Sequence, residues 1–406
     1  MKNALRNTRD DRYGVATSVQ CPLVEGQSYP PARAIAPLVR EHFERHIGEA
    51  RRRGLEGIAS VPDTDAIEAI IQAAFWGSLR REEGYIPKIS LAFVSPTEAV
   101  HPLQFERSLP LAPAALTRVA PAVERAGIHL AVWRDGDGWA VWGTVRAIPS
   151  FCFVLEAAAP GLLVIKHHRG DTGKFVNVAV LEGDQIKIVD ERASSLPDCP
   201  PLLTSLLGFT GRDIQAGAGE DGDVNVLVQL AVSMRAHGRG GLLLVVPSGG
   251  DDWRESIVKP ISYAVQPPYT GLTRLVNQQS DDEHRDAWEQ ALTRAVDAVA
   301  GLTAVDGAAI MTRDYELLAF GAKIARRKGA PQVEHVSVTE PIEGGVPSKV
   351  TPSLLGGTRH LSAAQFVQDQ PDALALVASQ DGRFTVFAWS PCEQMVHAHR
   401  VEALLL

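Results

Sequence analysis

The spacing of apolar residues predicts two helices near the beginning of the chain. Residues 32–53 follow Pro31 and place apolar side chains three or four positions apart, which is the period of one helix face. Proline suits the first turn of a helix, because the backbone N–H that it lacks would have no partner there. A second apolar stretch begins at Thr64. The pattern therefore predicts a helix over 32–53 and a more buried helix from Thr64.

Short apolar runs separated by turn residues predict strands in the rest of the first half. Residues 89–95 form one such run. Residues 130–133 and 139–142 flank a turn rich in glycine and aspartate, and residues 175–181 and 185–189 flank another. Each of these pairs is typical of a β-hairpin. We therefore predict an α+β domain with antiparallel hairpins, an arrangement typical of a small-molecule or protein-interaction module.

A small, acidic stretch at residues 216–223 divides the chain. It has no apolar anchor, and such a composition is typical of a linker. We therefore place an N-terminal domain at residues 1–215 and a C-terminal domain at residues 224–406. In the second domain an amphipathic helix over 281–300 leads into an apolar segment, which is an α/β pattern. The glycines and prolines of residues 333–350 predict a loop or an extended crossover.

The composition agrees with two soluble domains. A chain of 406 residues with 45% hydrophobic and 22% charged residues is longer than one core usually supports and is otherwise ordinary. The net charge of −8 disfavours a nucleic-acid partner. Because we find neither a signal sequence nor a long apolar run, we expect a cytoplasmic protein without a membrane anchor. The cysteines show no metal-binding spacing and are too few for a disulfide framework: Cys21, Cys152, Cys199 and Cys392.

Two motifs carry candidate chemistry. Residues 355–360, Leu-Gly-Gly-Thr-Arg-His, present a hydroxyl, a guanidinium and an imidazole after a glycine turn, and helix-compatible residues follow. Such a turn suits a phosphate, because helix N-terminal N–H groups and a forked cation can converge on it. Asp306 ends an apolar run and is followed by Gly307 and Ala308, which leave room for a metal or a reacting hydroxyl. Taken alone, each motif could be an ordinary turn at the surface.

Together and in this order, the motifs resemble the two signatures of the diadenylate cyclase family (DisA-type nucleotide-binding domains), Asp-Gly-Ala and Gly-Thr-Arg-His-Arg. The resemblance covers residues 224–395. Residues 230–247 are similar to the family's opening helix and first strand, residues 315–322 to the strand that returns from Asp-Gly-Ala, and residues 371–379 to its Ser-Asp-Ala strand. The resemblance implies a mixed sheet flanked by helices and the condensation of two ATP molecules into cyclic di-AMP with Mg²⁺ or Mn²⁺.

The resemblance also implies roles for individual residues. Asp306 would be the catalytic residue, holding the metal and assisting attack by a ribose 3′-hydroxyl, and Asp381 would be a further metal ligand. Because each site holds one ATP, two copies must face each other in a homodimer or a higher homo-oligomer. The remaining positions would contact the nucleotide: Gly307, Ala308, Gly357, Thr358, Arg359, His360 and Ser379.

Two positions depart from the family's pattern. Leu361 stands where an arginine follows the histidine, and Gln380 stands in an acidic pair after Ser379. The first change removes a cation from the phosphate site, and losing such a stabiliser typically costs about 10²–10³ in rate. The alternative is therefore a weak or inactive domain that senses adenine nucleotides. Residues 1–215 are similar in their position to the probable sensor modules, of the DACNV kind, found with some family members.

Overall fold

Two mixed β-sheets, each covered by helices, form the structure. It is a computed structural model that describes residues 28–125, 127–136, 138–168, 175–189, 225–278 and 285–406. No helix within these ranges is long and apolar enough to cross a lipid bilayer. Their α-helices are α1 (Pro30–Arg52), α2 (Thr64–Ser78), α3 (Pro113–Val119), α4 (Val226–Ala236), α5 (Gly271–Val276), α6 (Arg285–Leu302) and α7 (Thr358–Asp369).

Among the described residues, eight strands form the N-terminal sheet: β1 (Ser90–Phe93), β2 (Leu103–Pro110), β3 (His129–Asp135), β4 (Gly138–Val145), β5 (Phe153–Ala159), β6 (Leu162–His168), β7 (Phe175–Glu182) and β8 (Gln185–Ile188). Their order in the sheet is β2-β4-β3-β1-β5-β6-β7-β8. β1 runs parallel to β3, and the other neighbouring strands are antiparallel.

α1 and α2 pack on one face of this sheet, because each presents an apolar stripe to it. α1 begins at two prolines and buries residues at helical spacing, among them Ile35 and Phe43. α2 begins after the N-cap residue Asp63, whose carboxylate accepts a hydrogen bond from the backbone N–H of Ala66 at 2.7 Å. The core joins both helices to alternate strand residues such as Leu91.

Among the described residues, nine strands form the C-terminal sheet: β9 (Gly241–Val246), β10 (Tyr263–Tyr269), β11 (Ala308–Thr312), β12 (Leu317–Ala322), β13 (Val336–Thr339), β14 (Ser348–Val350), β15 (Leu374–Ala378), β16 (Phe384–Ser390) and β17 (Met395–Arg400). Their order is β10-β12-β11-β9-β15-β16-β17-β13-β14. The pairs β9–β11 and β13–β17 are parallel, and the other neighbours are antiparallel.

Helices cover both faces of the C-terminal sheet. α4, α5 and α6 contribute to the core on one face, and α7 contributes to the core on the other. The central strand β9 shows the division, because Leu243 and Val245 belong to the first core while Leu242, Leu244 and Val246 belong to the second. A strand that is buried on both faces needs a continuous apolar run, which is what residues 241–246 provide.

The structure confirms the predicted α/β fold and most of the predicted elements. The two predicted N-terminal helices are α1 and α2, and both predicted hairpins are present. The helix predicted over 281–300 corresponds to α6, whose described part begins at Arg285. For residues 333–350 the prediction was a loop or an extended crossover. The segment contains two extended stretches, β13, which pairs in parallel with β17, and β14, which pairs with β13. The predicted linker, residues 216–223, lies outside the described residues.

Candidate functional site

The candidate site lies at one edge of the C-terminal sheet, where β9 and β11 begin and β12 and β15 end. β9 and β11 are parallel, and β12 and β15 run in the opposite direction, so these four strand ends come together. In register, Gly241 pairs with Ala378, and Ala308 pairs with Ala322. Asp306 and Gly307 of one motif directly precede Ala308, and Arg359 of the other motif lies next to Gly240, which directly precedes Gly241. The fold therefore brings both motifs to one edge.

Asp306 lies in the bend between α6 and β11. Its side chain is 91% exposed. β11 begins at Ala308, two residues after Asp306, because the residues before it turn the chain out of α6 and into the sheet. Asp306 is therefore presented to solvent at the sheet edge rather than held within a strand.

Lys323 is the immediate partner of Asp306. It follows β12 and donates a hydrogen bond from Nζ to Asp306 Oδ2 at 2.5 Å. This hydrogen bond is the main cause of the lowered pKa of Asp306, followed by the charge of Lys323, and Arg359 of the second motif lowers it further. Asp306 is consequently an ionised carboxylate at neutral pH. The effect of Arg359 also shows that the two motifs are electrostatic neighbours.

Gly307 and Ala308 serve the packing of the chain itself. Gly307 has a φ of +116°, and a Cβ atom placed on it would lie 2.5 Å from the carbonyl carbon of Gly321 and 2.8 Å from the carbonyl oxygen of Ala322. Only glycine allows this backbone conformation together with so close an approach. Ala308 is fully buried in the core. The small residues after Asp306 are thus required by the β11–β12 pair, whatever else they contact.

The Gly-Thr-Arg-His motif opens α7, as the sequence predicted. The helix begins at Thr358 with Gly357 as the N-cap residue, which supplies no side-chain cap, and no acidic residue lies in the first turn. The N–H groups of a first turn have no partner within the helix, and the helix dipole favours an anion there. Thr358 is exposed and Arg359 is half-buried, so both can reach a ligand at this end.

Arg359 reaches from α7 across to the turn that precedes β9. A Cβ atom built on Gly240 would lie 3.0 Å from an Nη atom of Arg359, and 3.4 Å from both the carbonyl oxygen of Ala378 and the Cγ of Gln380. Gly240 has a φ of +72°, so it provides the space next to the guanidinium and the turn geometry at once. The guanidinium thus lies between the beginning of β9 and the end of β15.

His360 differs from its neighbours because it faces the interior. Its side chain is only 3% exposed, and its ring meets the ring of Phe387 edge-on with centroids 6.0 Å apart. A Cβ atom on Gly356 would lie 2.4 Å from Nδ1 of His360, so the imidazole packs directly under the glycine turn. Burial lowers the pKa of His360, although Asp381 opposes the shift. His360 is therefore a neutral group that supports the turn from below.

The turn after β15 holds Ser379 and Asp381. The Ser379 N–H donates to the Arg383 carbonyl oxygen at 2.9 Å, and the Gly382 N–H donates to the Ser379 carbonyl oxygen at 3.3 Å. Asp381 is exposed and forms an ion pair with Arg383 at 3.4 Å. Gln380 Nε2 donates to the Arg239 carbonyl oxygen at 3.4 Å. The turn after β15 thus connects the turn that precedes β9 to the candidate site.

A divalent cation fits this donor set as a companion of a bound nucleotide. Within the described ranges, no group of three or more histidine, cysteine or acidic side chains could hold a metal ion. Mg²⁺, however, usually takes one or two carboxylates and completes its shell with water and substrate phosphates. Asp306 is an ionised, exposed oxygen donor. Its ion pair with Lys323 is solvent-exposed, and exposed pairs contribute little stability, so a cation can displace the lysine.

Two residues of the site have no counterpart among the sequence predictions, Lys323 and Gly240. For Lys323 a signal was present, because a strand returning over 315–322 beside the Asp306 segment places the residue after it opposite Asp306. For Gly240 the signal was weaker. Its role depends on α7 lying across the beginning of β9, which only the tertiary structure determines.

Comparison with known proteins identifies part of the N-terminal domain. Residues 56–146, which run from just before α2 to the end of β4, match the family described as the probable sensor domain DACNV. The chain therefore contains a probable sensor domain, as its order of domains suggested. The match ends before the C-terminal sheet and does not include the candidate site. No curated protein sequence matches the chain.

Proposed function

We propose that the protein is a diadenylate cyclase controlled by its N-terminal sensor domain. The reaction condenses two ATP molecules into cyclic di-AMP and two pyrophosphates. The observation that carries this proposal is the placement of Asp306 and Arg359 at the same edge of the sheet, where β9 and β11 begin. An ionised carboxylate beside a guanidinium and the open N-terminus of α7 has the charges that a nucleotide with its cation requires.

In the proposed site, Arg359 and N–H donors bind the phosphates, and carboxylates bind the cation. Arg359 and the first N–H groups of α7 bind phosphate oxygens, and the exposed hydroxyl of Thr358 donates a further hydrogen bond. Asp306 holds Mg²⁺ or Mn²⁺, with Asp381 as the second carboxylate within the same group of turns. When bound, the cation neutralises phosphate charge and lowers the pKa of the attacking hydroxyl.

The reaction consists of two successive nucleotidyl transfers. The 3′-oxygen of one ATP forms a bond to the α-phosphorus of the other, the bond to pyrophosphate breaks, and the hydroxyl proton passes to water. The same step in the opposite direction closes the ring. Because one site holds one nucleotide, two copies of the chain must present their sites to each other, and a face-to-face homodimer is the simplest assembly that does so.

A nucleotide sensor without turnover is the second candidate, and Leu361 favours it. This residue packs against the core beneath α7, so the position after His360 supplies no cation to the phosphates. Gln380 is exposed and uncharged at the end of β15. Arg359 remains as the guanidinium of the motif, which is sufficient for binding but supplies less charge to a transition state.

A product assay with a matched pair of variants tests the proposal. Asp306→Asn keeps the size of the side chain and removes its charge. Asp314→Asn is the control, because Asp314 is also exposed and follows the other end of β11. The protein is incubated with ATP and Mn²⁺ or Mg²⁺, and cyclic di-AMP is measured by mass spectrometry. The proposal requires product from the wild type and Asp314→Asn and none from Asp306→Asn. ATP bound without product in the wild type would favour the sensor.

A further inference from the structure

Residues 401–406, here called the bridging segment, contact both sheets. On the N-terminal side, Asn177 of β7 donates from Nδ2 to the carbonyl oxygens of Ala403 at 2.8 Å and Leu406 at 3.2 Å. Ala403 also belongs to a small apolar core with residues of β6, β7 and the end of β8. On the C-terminal side, Leu405 is buried in the core beneath the C-terminal sheet. The bridging segment is therefore packed between the N-terminal sheet and the C-terminal sheet, which carries the candidate site.

Charged groups reinforce this junction. Lys187 of β8 forms ion pairs with Glu340 at 2.6 Å and with Glu402 at 3.7 Å, and Arg400 donates to Glu402 at 2.7 Å. The side chains of these four residues are all less than a third exposed. The backbone continues the junction, because Val189 forms an isolated bridge with the segment after β13. Removing one partner of a buried charge pair is strongly destabilising, because the remaining charge is left buried and uncompensated.

Arg235 connects the bridging segment to the candidate site. It lies in the last turn of α4 and donates from Nη1 to the carbonyl oxygen of Leu405 at 3.3 Å and from Nε to that of Gly382 at 3.0 Å. Gly382 belongs to the same turn as Ser379 and Asp381. Burial lowers the pKa of Arg235 and the charge of Glu402 opposes the shift, so the guanidinium depends on these neighbours to remain favourable in the interior.

We propose that Arg235 is a positioning residue for the Ser379–Arg383 turn, and that the bridging segment transmits changes in the N-terminal sheet to this turn through Arg235. The contacts are contiguous from Lys187 and Asn177 to Gly382. A shift of β7 or β8 displaces the bridging segment, and the carbonyl oxygen of Leu405 moves with it. Arg235 then holds the turn less firmly. The regulatory meaning of this coupling rests on the proposed function, whereas the coupling itself is a property of the fold.

The chain offers a matched pair of lysines for the test. Lys187 and Lys166 each form an ion pair at 2.6 Å with a glutamate, but Lys166 pairs with Glu156 inside the N-terminal sheet. Hydrogen exchange of the amides of residues 379–383 is measured in the full-length protein. Lys187→Met should increase exchange in this turn by about fivefold, as expected when a partly buried contact is lost, whereas Lys166→Met should leave it unchanged. Lys187→Arg should restore the wild-type rate.

Arg235→Met tests the last link separately. It should increase exchange in the turn at least as much as Lys187→Met, and Arg235→Lys should lie between Arg235→Met and the wild type, since an ammonium cannot serve two carbonyl oxygens as a guanidinium does. Unchanged exchange in Arg235→Met, or equal exchange in Lys187→Met and Lys166→Met, would overturn the inference. Hydrogen exchange needs no turnover. If the protein formed no cyclic di-AMP, the cyclase proposal would be refuted, but the exchange measurements would still test the coupling.

Discussion

Replacing Gly307 by alanine isolates the structural part of the Asp-Gly-Ala motif. The new methyl group would meet the backbone of Gly321 at 2.5 Å, and a backbone atom cannot rotate away as a flexible side chain can. The φ of +116° adds strain for any residue with a Cβ atom. Such conformations cost about 1–3 kcal/mol, and overpacking of this kind costs about 1–3 kcal/mol more. We therefore expect a total loss of about 2–6 kcal/mol of unfolding free energy.

Gly357→Ala is the control in the other motif. Nothing lies within 4 Å of a Cβ atom at this N-cap position, and its φ is −73°. Alanine is a poorer N-cap than glycine, so the expected loss is about 1 kcal/mol or less. Urea unfolding of both variants, followed through the transition of the C-terminal domain, gives the comparison. A Gly307→Ala protein as stable as Gly357→Ala would refute the conclusion that the chain's own backbone requires this glycine.

Three further predictions follow from other parts of the structure. Burial lowers the pKa of His42 to about 2 and of His399 to about 3. Because both imidazoles bind protons more readily in the unfolded chain, each should lower the unfolding free energy by about 2 kcal/mol as the pH falls from 7.5 to 5. Urea midpoints at the two pH values measure this loss, which should be smaller in His42→Gln than in the wild type. Lys323→Met should raise the pKa of Asp306, because the main cause of its lowering is removed, and carbon NMR of the carboxylate measures this. Phe366→Ala should destabilise the C-terminal domain by about 3–5 kcal/mol, since the ring is fully buried under α7, and a calorimetric transition left unchanged would contradict that placement.

Local patterns predicted the elements well, because each depends on neighbouring residues. The apolar periods of α1 and α2, and the glycine turns of the two hairpins, needed no knowledge of distant contacts. Residues 333–350 were harder, since their glycines and prolines indicated a loop or an extended crossover, and the pairing of this segment with the sheet was not predicted. The strands β13 and β14 form there because β17, far along the chain, supplies an edge to pair with.

The candidate site shows the same limit. Asp306 and Arg359 were recognisable as members of motifs, but their closeness depends on the strand order β12-β11-β9-β15, which is set by pairing between distant segments. The buried position of His360 could have been predicted from the sequence, because His360 shares one helix face with Ala364 and Val367 at positions i, i+4 and i+7. The coupling through Arg235 was not, since neither carbonyl oxygen that it contacts is marked by any residue type in the sequence.

In the proposed reaction, a 3′-hydroxyl of one ATP attacks the α-phosphorus of the other at this site. The most direct test compares ATP with 3′-deoxy-ATP, each with Mn²⁺, and follows nucleotide products and pyrophosphate by mass spectrometry. A diadenylate cyclase should form one cyclic di-AMP for every two ATP consumed, and should form neither cyclic product nor pyrophosphate from 3′-deoxy-ATP. Release of pyrophosphate from 3′-deoxy-ATP, or no cyclic di-AMP from ATP under conditions where ATP binds, would refute the proposed cyclase.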